Sequence, residues 1–193
     1  GRISPGCLGR WSDANQDALT RVVGFCKDYG NTTMGIQLAH AGRKASTDLP
    51  WYGAAPIPAS DPRGWQTVAP SAAPYSDAFD TPTALDEAGR AKVGDGCVAA
   101  ARRADETGFD VVEVHMAHGY LLHQFLSPLS NQRNDAYGGA LEGRMRFPLE
   151  VFAAVRAVWP QNKALGVRIS ATDWVEGSSW TVEEASAFTA ALY

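Results

Sequence analysis

Residues that handle protons and hydrogen bonds crowd into six positions: His115, His118 and Tyr120, in the run Phe109-Asp-Val-Val-Glu-Val-His-Met-Ala-His-Gly-Tyr120. Three of the chain's four histidines lie between His115 and His123. Two imidazole N–H groups aimed at one oxygen would stabilise negative charge developing there, as an oxyanion hole does. A phenol, with an ordinary pKa of about 10, could deliver a proton beside them. The same residues admit plainer readings. A lone histidine on a strand is more often a hydrogen-bonded structural group, and Tyr120 would pack well with its hydroxyl capped. A His-x-x-His spacing also suits zinc ligation, with Glu113 a conceivable third ligand because it shares a strand face with His115.

These side chains need an element to hold them, and the preceding residues supply one. Phe109–Val114 reads as a short strand, bounded upstream by Thr107-Gly108, a helix-ending signal. The histidines therefore fall where the strand finishes, and in parallel α/β proteins ligands bind beyond that end. Thr32–Ala39 and Ala164–Ser170 read as two further strands. Alternation places Gly35 and Gln37 on one face of the first, Glu113 and His115 of the second, and Gly166, Arg168 and Ser170 of the third. If those faces share one side, Gln37, His115 and Arg168 converge. An amide, an imidazole and a fixed positive charge suit a planar, hydrogen-bonding, electron-accepting ligand better than a packed core. Arg168 alone reads equally well as a buried ion pair with Glu113 or Asp173.

Helical patterns alternate with these strands. Trp11–Tyr29 carries the stripe Leu19, Val22, Val23 and Cys26 between a cap at Ser12 or Asp13 and a stop at Gly30. Asp86–Glu106 buries Val93, Cys97, Ala100 and Ala104, and Tyr120–Phe125 makes a short helix. Glu142–Val158 carries Met145, Leu149, Phe152 and Val155, and a capping box at Thr181-Val-Glu-Glu184 opens a last helix. Between Ala41 and Pro82, a stretch holding seven of the 11 prolines, a structured excursion with a short hairpin is expected. Trp51 and Trp65 there read as a packed lid or a subunit contact. Long loops after strands and short joints before them are the asymmetry of a (β/α)8 barrel, although a doubly wound sheet shares much of it. Such a barrel takes about 250 residues, so three strands with their helices make less than half of one. With no Met at Gly1 and an expected helix running to Tyr193, residues 1–193 read as part of a single domain cut at both ends.

Composition narrows the partners. The 193 residues are 45% hydrophobic, and 17 basic against 21 acidic residues leave a net charge of -4, no electrostatic reason to expect nucleic acid or an anionic membrane. No apolar run approaches the roughly 20 residues of a membrane span. Cys7, Cys26 and Cys97 form no Cys-x-x-Cys pair, so a reducing cytoplasm is the expected setting.

The motifs around these residues have a family likeness. The run His115-Met-Ala-His-Gly-Tyr-Leu-Leu-His-Gln-Phe-Leu-Ser-Pro128, then Ser130-Asn-Gln-Arg-Asn-Asp-Ala-Tyr-Gly-Gly139 and Arg144-Met-Arg-Phe147, closely resembles the Old Yellow Enzyme family. The opening Gly1-Arg-Ile-Ser-Pro-Gly6, Gln37-Leu-Ala-His-Ala-Gly-Arg-Lys44 and Val167-Arg-Ile-Ser-Ala171 match it too, and His-x-x-His resembles its bacterial branches. The resemblance implies an α/β (β/α)8 TIM barrel, of which about strands 3 to 5 are present, and an FMN-dependent ene reductase. Such an enzyme passes hydride from NAD(P)H through FMN to activated C=C bonds of α,β-unsaturated carbonyl or nitro compounds. Carried onto this chain, it implies that Gln37 bonds the pyrimidine edge of the flavin and that Arg168 stabilises the reduced flavin near N1 and O2. His115 and His118 would hold the substrate oxygen, and Tyr120 would donate the proton. His40, Arg43, Lys44 and His123 would order the surrounding loops. Phosphate-binding groups and first-strand flavin contacts would lie outside the chain, and the whole protein would be a homo-oligomer. Two alternatives stay open: the barrel module of a multidomain dienoyl-CoA-reductase-like flavoenzyme, and a non-catalytic or metal-binding barrel remnant.

Overall fold

Ser12 starts the first helix, α1 (Asp13–Tyr29), because its hydroxyl accepts the Asn15 N–H at 3.3 Å. The computed structural model describes residues 1–192, and the expectation that a helix continues to Tyr193 lies outside them. Strand β1 (Gly35–Leu38) is shorter than the alternation predicts. Just upstream, the Met34 N–H donates to Asp110 Oδ2 and the Met34 carbonyl accepts from Asp110 and Val111, which clamps β1 beside the next main strand. Helix α2 (Glu87–Thr107) is capped by the Asp86 carboxylate on the Gly89 N–H. It ends at Gly108, whose φ of 96° only a residue without Cβ adopts freely.

Strand β4 (Val111–Met116), helix α3 (Leu121–Leu126), helix α4 (Leu141–Val158), strand β5 (Ala164–Ile169) and helix α5 (Val182–Ala191) follow. Thr181 caps α5 by accepting the Glu184 N–H, as the capping box predicts. Glu184 does not reach back to complete the box; its carboxylate pairs with Arg144.

The main sheet is parallel throughout, in the order β1-β4-β5. Chain order is thus kept across the sheet, with no reversal of the kind a doubly wound fold uses to make its binding crevice. The chain consists of consecutive βα units of a (β/α)8 barrel, and the described residues do not close the barrel. Gln37 lies opposite Glu113, Glu113 opposite Gly166, and His115 opposite Arg168, so the shared face expected from parity is present. The other face carries Val112, Val114 and Met116, fully buried with Ala101, Ala104, Phe125 and Val155 beneath the helices.

Two helices are rotated from their expected stripes. On α4 the buried line is Arg144, Phe147, Val151 and Val155, one or two positions from the expected Met145, Leu149 and Phe152. The buried Arg144 guanidinium, which donates to the Leu126 and Gly139 carbonyls as well as to Glu184, puts a charge in mid-stripe and disguises it. On α1, Leu19 and Val23 are buried while Val22 is exposed.

The stretch from Ala41 to Pro82 is structured, and its hairpin-like pairing is a single bridge rather than two strands. It holds two 3-10 turns, Gly42–Lys44 and Pro50–Tyr52, and one antiparallel bridge between Thr47 and Pro56. Its β2 (Val68–Ala69) pairs parallel with β3 (Thr83–Ala84). Arg133 fastens this pair to the loop after α3 by donating to the Pro70 and Leu85 carbonyls, each at 2.8 Å. Trp65 is half-buried under the Arg2 guanidinium, while Trp51 is exposed rather than packed. Among the described residues no helix is long and apolar enough to cross a membrane, and the three cysteines are free.

Candidate active site

The polypeptide leaves β4 through Ala117 into a turn where two successive residues are left-handed, His118 at φ 57° and Gly119 at φ 69°. For a residue with a Cβ this conformation costs about 1–2 kcal/mol. It persists because every backbone polar group of both residues is held by a side chain. The His118 N–H donates to Ser170 Oγ at 3.0 Å, and the His118 carbonyl accepts from Lys44 Nζ at 2.9 Å. The Gly119 N–H donates to His123 Nδ1 at 2.8 Å, and the Gly119 carbonyl accepts from Gln124 Nε2 at 2.7 Å. Gln124, buried on α3, also donates to the Ala41 carbonyl and accepts the Arg43 N–H. Gly42 (φ 60°) admits that amide only because it lacks a Cβ, which would collide with it.

The turn brings the three predicted side chains together. The His115 ring centroid lies 5.1 Å from that of His118 and 5.3 Å from that of Tyr120, both edge to face. His115 is buried, yet among the described residues its Nδ1 has no hydrogen-bond partner, so a polar group on that imidazole is left for something else to satisfy. Burial, reinforced by neighbouring His118 and Arg168 and opposed by Glu113, pushes its pKa down to about 4. Burial, Arg168 and Lys44 also lower that of the exposed His118. Both rings are therefore neutral at pH 7, each with one N–H to donate. Burial, with Cys7 adding to it, raises the Tyr120 phenol above its ordinary value, so Tyr120 keeps its proton.

The sheet face beside these rings carries Gly35, Gln37, Gly166 and Arg168. Gln37 Nε2 donates to Glu113 Oε1 at 2.5 Å. A carboxylate only accepts, so Glu113 draws the amide NH2 group and leaves Gln37 Oε1 as an outward acceptor. Gly166, opposite Glu113, has open space where a Cβ would stand, which leaves that position flat. Arg168 is exposed and forms no ion pair among the described residues: Glu113 is engaged by Gln37, and Asp173 faces His123, Ser127 and Trp180. The ion-pair alternative for Arg168 therefore does not describe this arrangement. Nor, among the described residues, do three His, Cys, Asp or Glu side chains gather closely enough to hold a metal.

Lys44 and His123 order the turn, as loop-ordering groups would, and Lys44 also places its ammonium 5.0 Å from the Tyr75 ring and 5.2 Å from the Tyr120 ring. His40 works next to them, its Nδ1 accepting the Gly42 N–H and its carbonyl the Leu121 N–H. Sequence reasoning missed Ser170 as the acceptor for His118. Its position one residue beyond β5, on the Arg168 face, is the only signal that pointed to it.

A sequence model of the NADH:flavin oxidoreductase / NADH oxidase family matches residues 1–192. The chain belongs to this family. It is 43% identical over 196 residues to "NADH:flavin oxidoreductase FG08077" of Gibberella zeae, covering 95% of this chain and 47% of that protein. It is 44% identical over 174 residues to an NADPH dehydrogenase of a Geobacillus species, covering 90% of this chain and 46% of the other. The chain thus spans about half the length of these two relatives. The structure of morphinone reductase in complex with tetrahydroNAD superposes with a TM-score of 0.74 at 33% identity, covering 93% of this chain and 50% of that one. The likeness read from the histidine and glutamine motifs is thereby a family membership over essentially all of these residues.

Proposed function

We propose that the whole protein carrying this chain is an FMN-dependent NAD(P)H oxidoreductase that reduces activated C=C bonds of α,β-unsaturated carbonyl or nitro compounds. The observation that carries this reading is the cluster of His115, His118 and Tyr120 at the end of β4, two neutral imidazoles and a protonated phenol with ring centres about 5 Å apart. Family membership and the NADPH dehydrogenase relatives support a nicotinamide as the electron source.

The residues present fit the cofactor. An amide acceptor at Gln37, a guanidinium at Arg168 with no ion-pair partner among the described residues and a flat position at Gly166 suit the hydrogen-bonding edge of a planar, electron-accepting ring. Bound there, FMN supplies the hydride chemistry. Gln37 and Arg168 orient the ring, and the Arg168 charge favours its electron-rich form. His115 and His118 each present one N–H to the substrate oxygen, where negative charge grows as the alkene is reduced. Tyr120 gives its proton to the α-carbon, and its raised pKa keeps that proton available across the neutral range.

The test is the visible spectrum of the full-length protein after desalting, then after addition of a phenol, followed by enone turnover. Flavin bands and a long-wavelength charge-transfer band are expected. His115→Ala with His118→Ala should strongly impair enone reduction while FMN stays bound. A colourless protein that cannot be reconstituted with FMN would replace this reading with the metal-binding or remnant one, and unchanged turnover in the double variant would remove the oxyanion role.

A further inference from the structure

His123 is the one histidine of the cluster that the proposed reaction leaves without a task, and it is 4% exposed. Both of its nitrogens face polar groups. Nδ1 accepts the Gly119 N–H at 2.8 Å, so the proton of the neutral ring sits on Nε2. Nε2 stands 3.2 Å from Asp173 Oδ1, close enough for electrostatic attraction though off the line of a strong hydrogen bond. Behind it, Asp173 Oδ2 accepts from Ser127 Oγ at 2.6 Å and from the Trp180 N–H at 2.9 Å. The contacts then return to the turn. Trp180 Nε1 donates to the Ser170 carbonyl at 2.7 Å, and Ser170 Oγ accepts the His118 N–H at 3.0 Å. The consecutive amides of His118 and Gly119 are thus held by the two ends of one closed ring of contacts, built from α3 and the loop after β5.

A histidine that only filled space would not need this. A left-handed residue with a Cβ, even a histidine, remains uncommon, so the turn's geometry at position 118 depends on acceptors placed at those two amides. We propose that His123 is the positioning residue for His118: backed by Asp173, it presents Nδ1 as an acceptor to the Gly119 N–H and so holds the turn in which His118 faces His115. The inference rests on the reading of His115 and His118 as the substrate-oxygen donors. A second tautomer of His123, with the proton on Nδ1, would set two hydrogens against each other across the 2.8 Å contact, and Asp173 selects against it.

The experiment compares His123→Leu, His123→Asn and His123→Gln in the full-length protein by two readouts: hydrogen exchange at the Gly119 amide, and phenol affinity of the FMN-loaded form. Asn keeps an acceptor near Nδ1, whereas Gln places its amide nearer the Nε2 position. In His123→Leu, Gly119 exchange should quicken by about tenfold or more as the turn opens locally. Phenol affinity should fall about as far as in His118→Ala, and adding His123→Leu to His118→Ala should cost nothing further, because residues acting through one another are not additive. Asn should restore both properties and Gln neither. If Leu does not fold, the Asn and Gln pair decides by the same two measurements. Unchanged Gly119 exchange, additive losses in the double variant, or equal behaviour of Asn and Gln would overturn the proposal. A wild-type protein that takes up no FMN would instead overturn the assigned reaction, while amide exchange would still report whether His123 holds the turn.

Discussion

The connections that follow β4 and β5 each carry a non-glycine residue in the left-handed region, and they are built in opposite ways. After β4, His118 (φ 57°) sits where every backbone polar group of the turn is bound by a side chain from elsewhere. After β5, Trp174 (φ 58°) is 92% exposed, and its N–H donates only to its near neighbour Thr172 Oγ1 at 3.2 Å. The same backbone strain is over-determined at one end and almost unsupported at the other. Strain that four side chains combine to hold, two of them on α3 and two from the loops after β1 and β5, marks a place where a side chain must point one way. Strain held by one local contact marks only a loop.

The comparison can be broken or sharpened in order of expected size. His118→Ala should lower kcat for enone reduction by about 10²–10³, the usual loss of one oxyanion donor, with FMN occupancy unchanged by absorbance. Gln124→Leu should destabilise the fold by about 3 kcal/mol in urea unfolding, because it strips partners from the buried Ala41 carbonyl and from the half-buried Arg43 and Gly119 backbone. A Gln124→Leu protein as stable as wild type would show that Gln124 is not one of the groups that hold the β4 turn.

A third effect depends on pH. His115 is held at about 4 against an ordinary 6.5, so between these values the unfolded chain binds a proton that the folded one does not. Stability should therefore rise with pH through that window, and the loss on acidification should be complete below about 4. Urea midpoints measured across it should climb with pH in wild type and climb less in His115→Asn. The smallest effect belongs to the other strand end. Trp174→Gly should raise stability by about 1 kcal/mol or less, since relief of the left-handed strain is partly offset by the freer unfolded chain. A thermal midpoint that falls would mean that Trp174 has a partner its exposure conceals.

Much of the chemistry was legible in the residues because it depends on local parity. Alternation alone put Gln37, Glu113, His115, Gly166 and Arg168 on one face, and the strand register agrees. The caps at Ser12 and Thr181 and the stop at Gly108 were likewise local signals with local causes. What was hidden is long-range. Nothing near His118 announces that Ser170, 52 positions away, accepts its N–H. A buried Arg144 in the apolar stripe of α4 reads as a solvent-facing charge until Glu184 and the Leu126 carbonyl are seen around it. The excursion after β1 was recognised as ordered from its aromatics and prolines, but its parallel β2–β3 pair joins segments about 15 residues apart and leaves no hairpin turn to find.

The three-stranded order β1-β4-β5 has a practical side. Within residues 1–192, the outer edges of β1 and β5 present rows of backbone N–H and C=O groups with no neighbouring strand, and unpaired edges are templates for other chains. Produced as this stretch alone, the protein is expected to precipitate or co-purify with chaperones, so poor yield of such a piece would say nothing against the fold. Solubility tags or partial refolding would leave both edges bare, whereas a polypeptide that carries strands beside β1 and β5 would cover them.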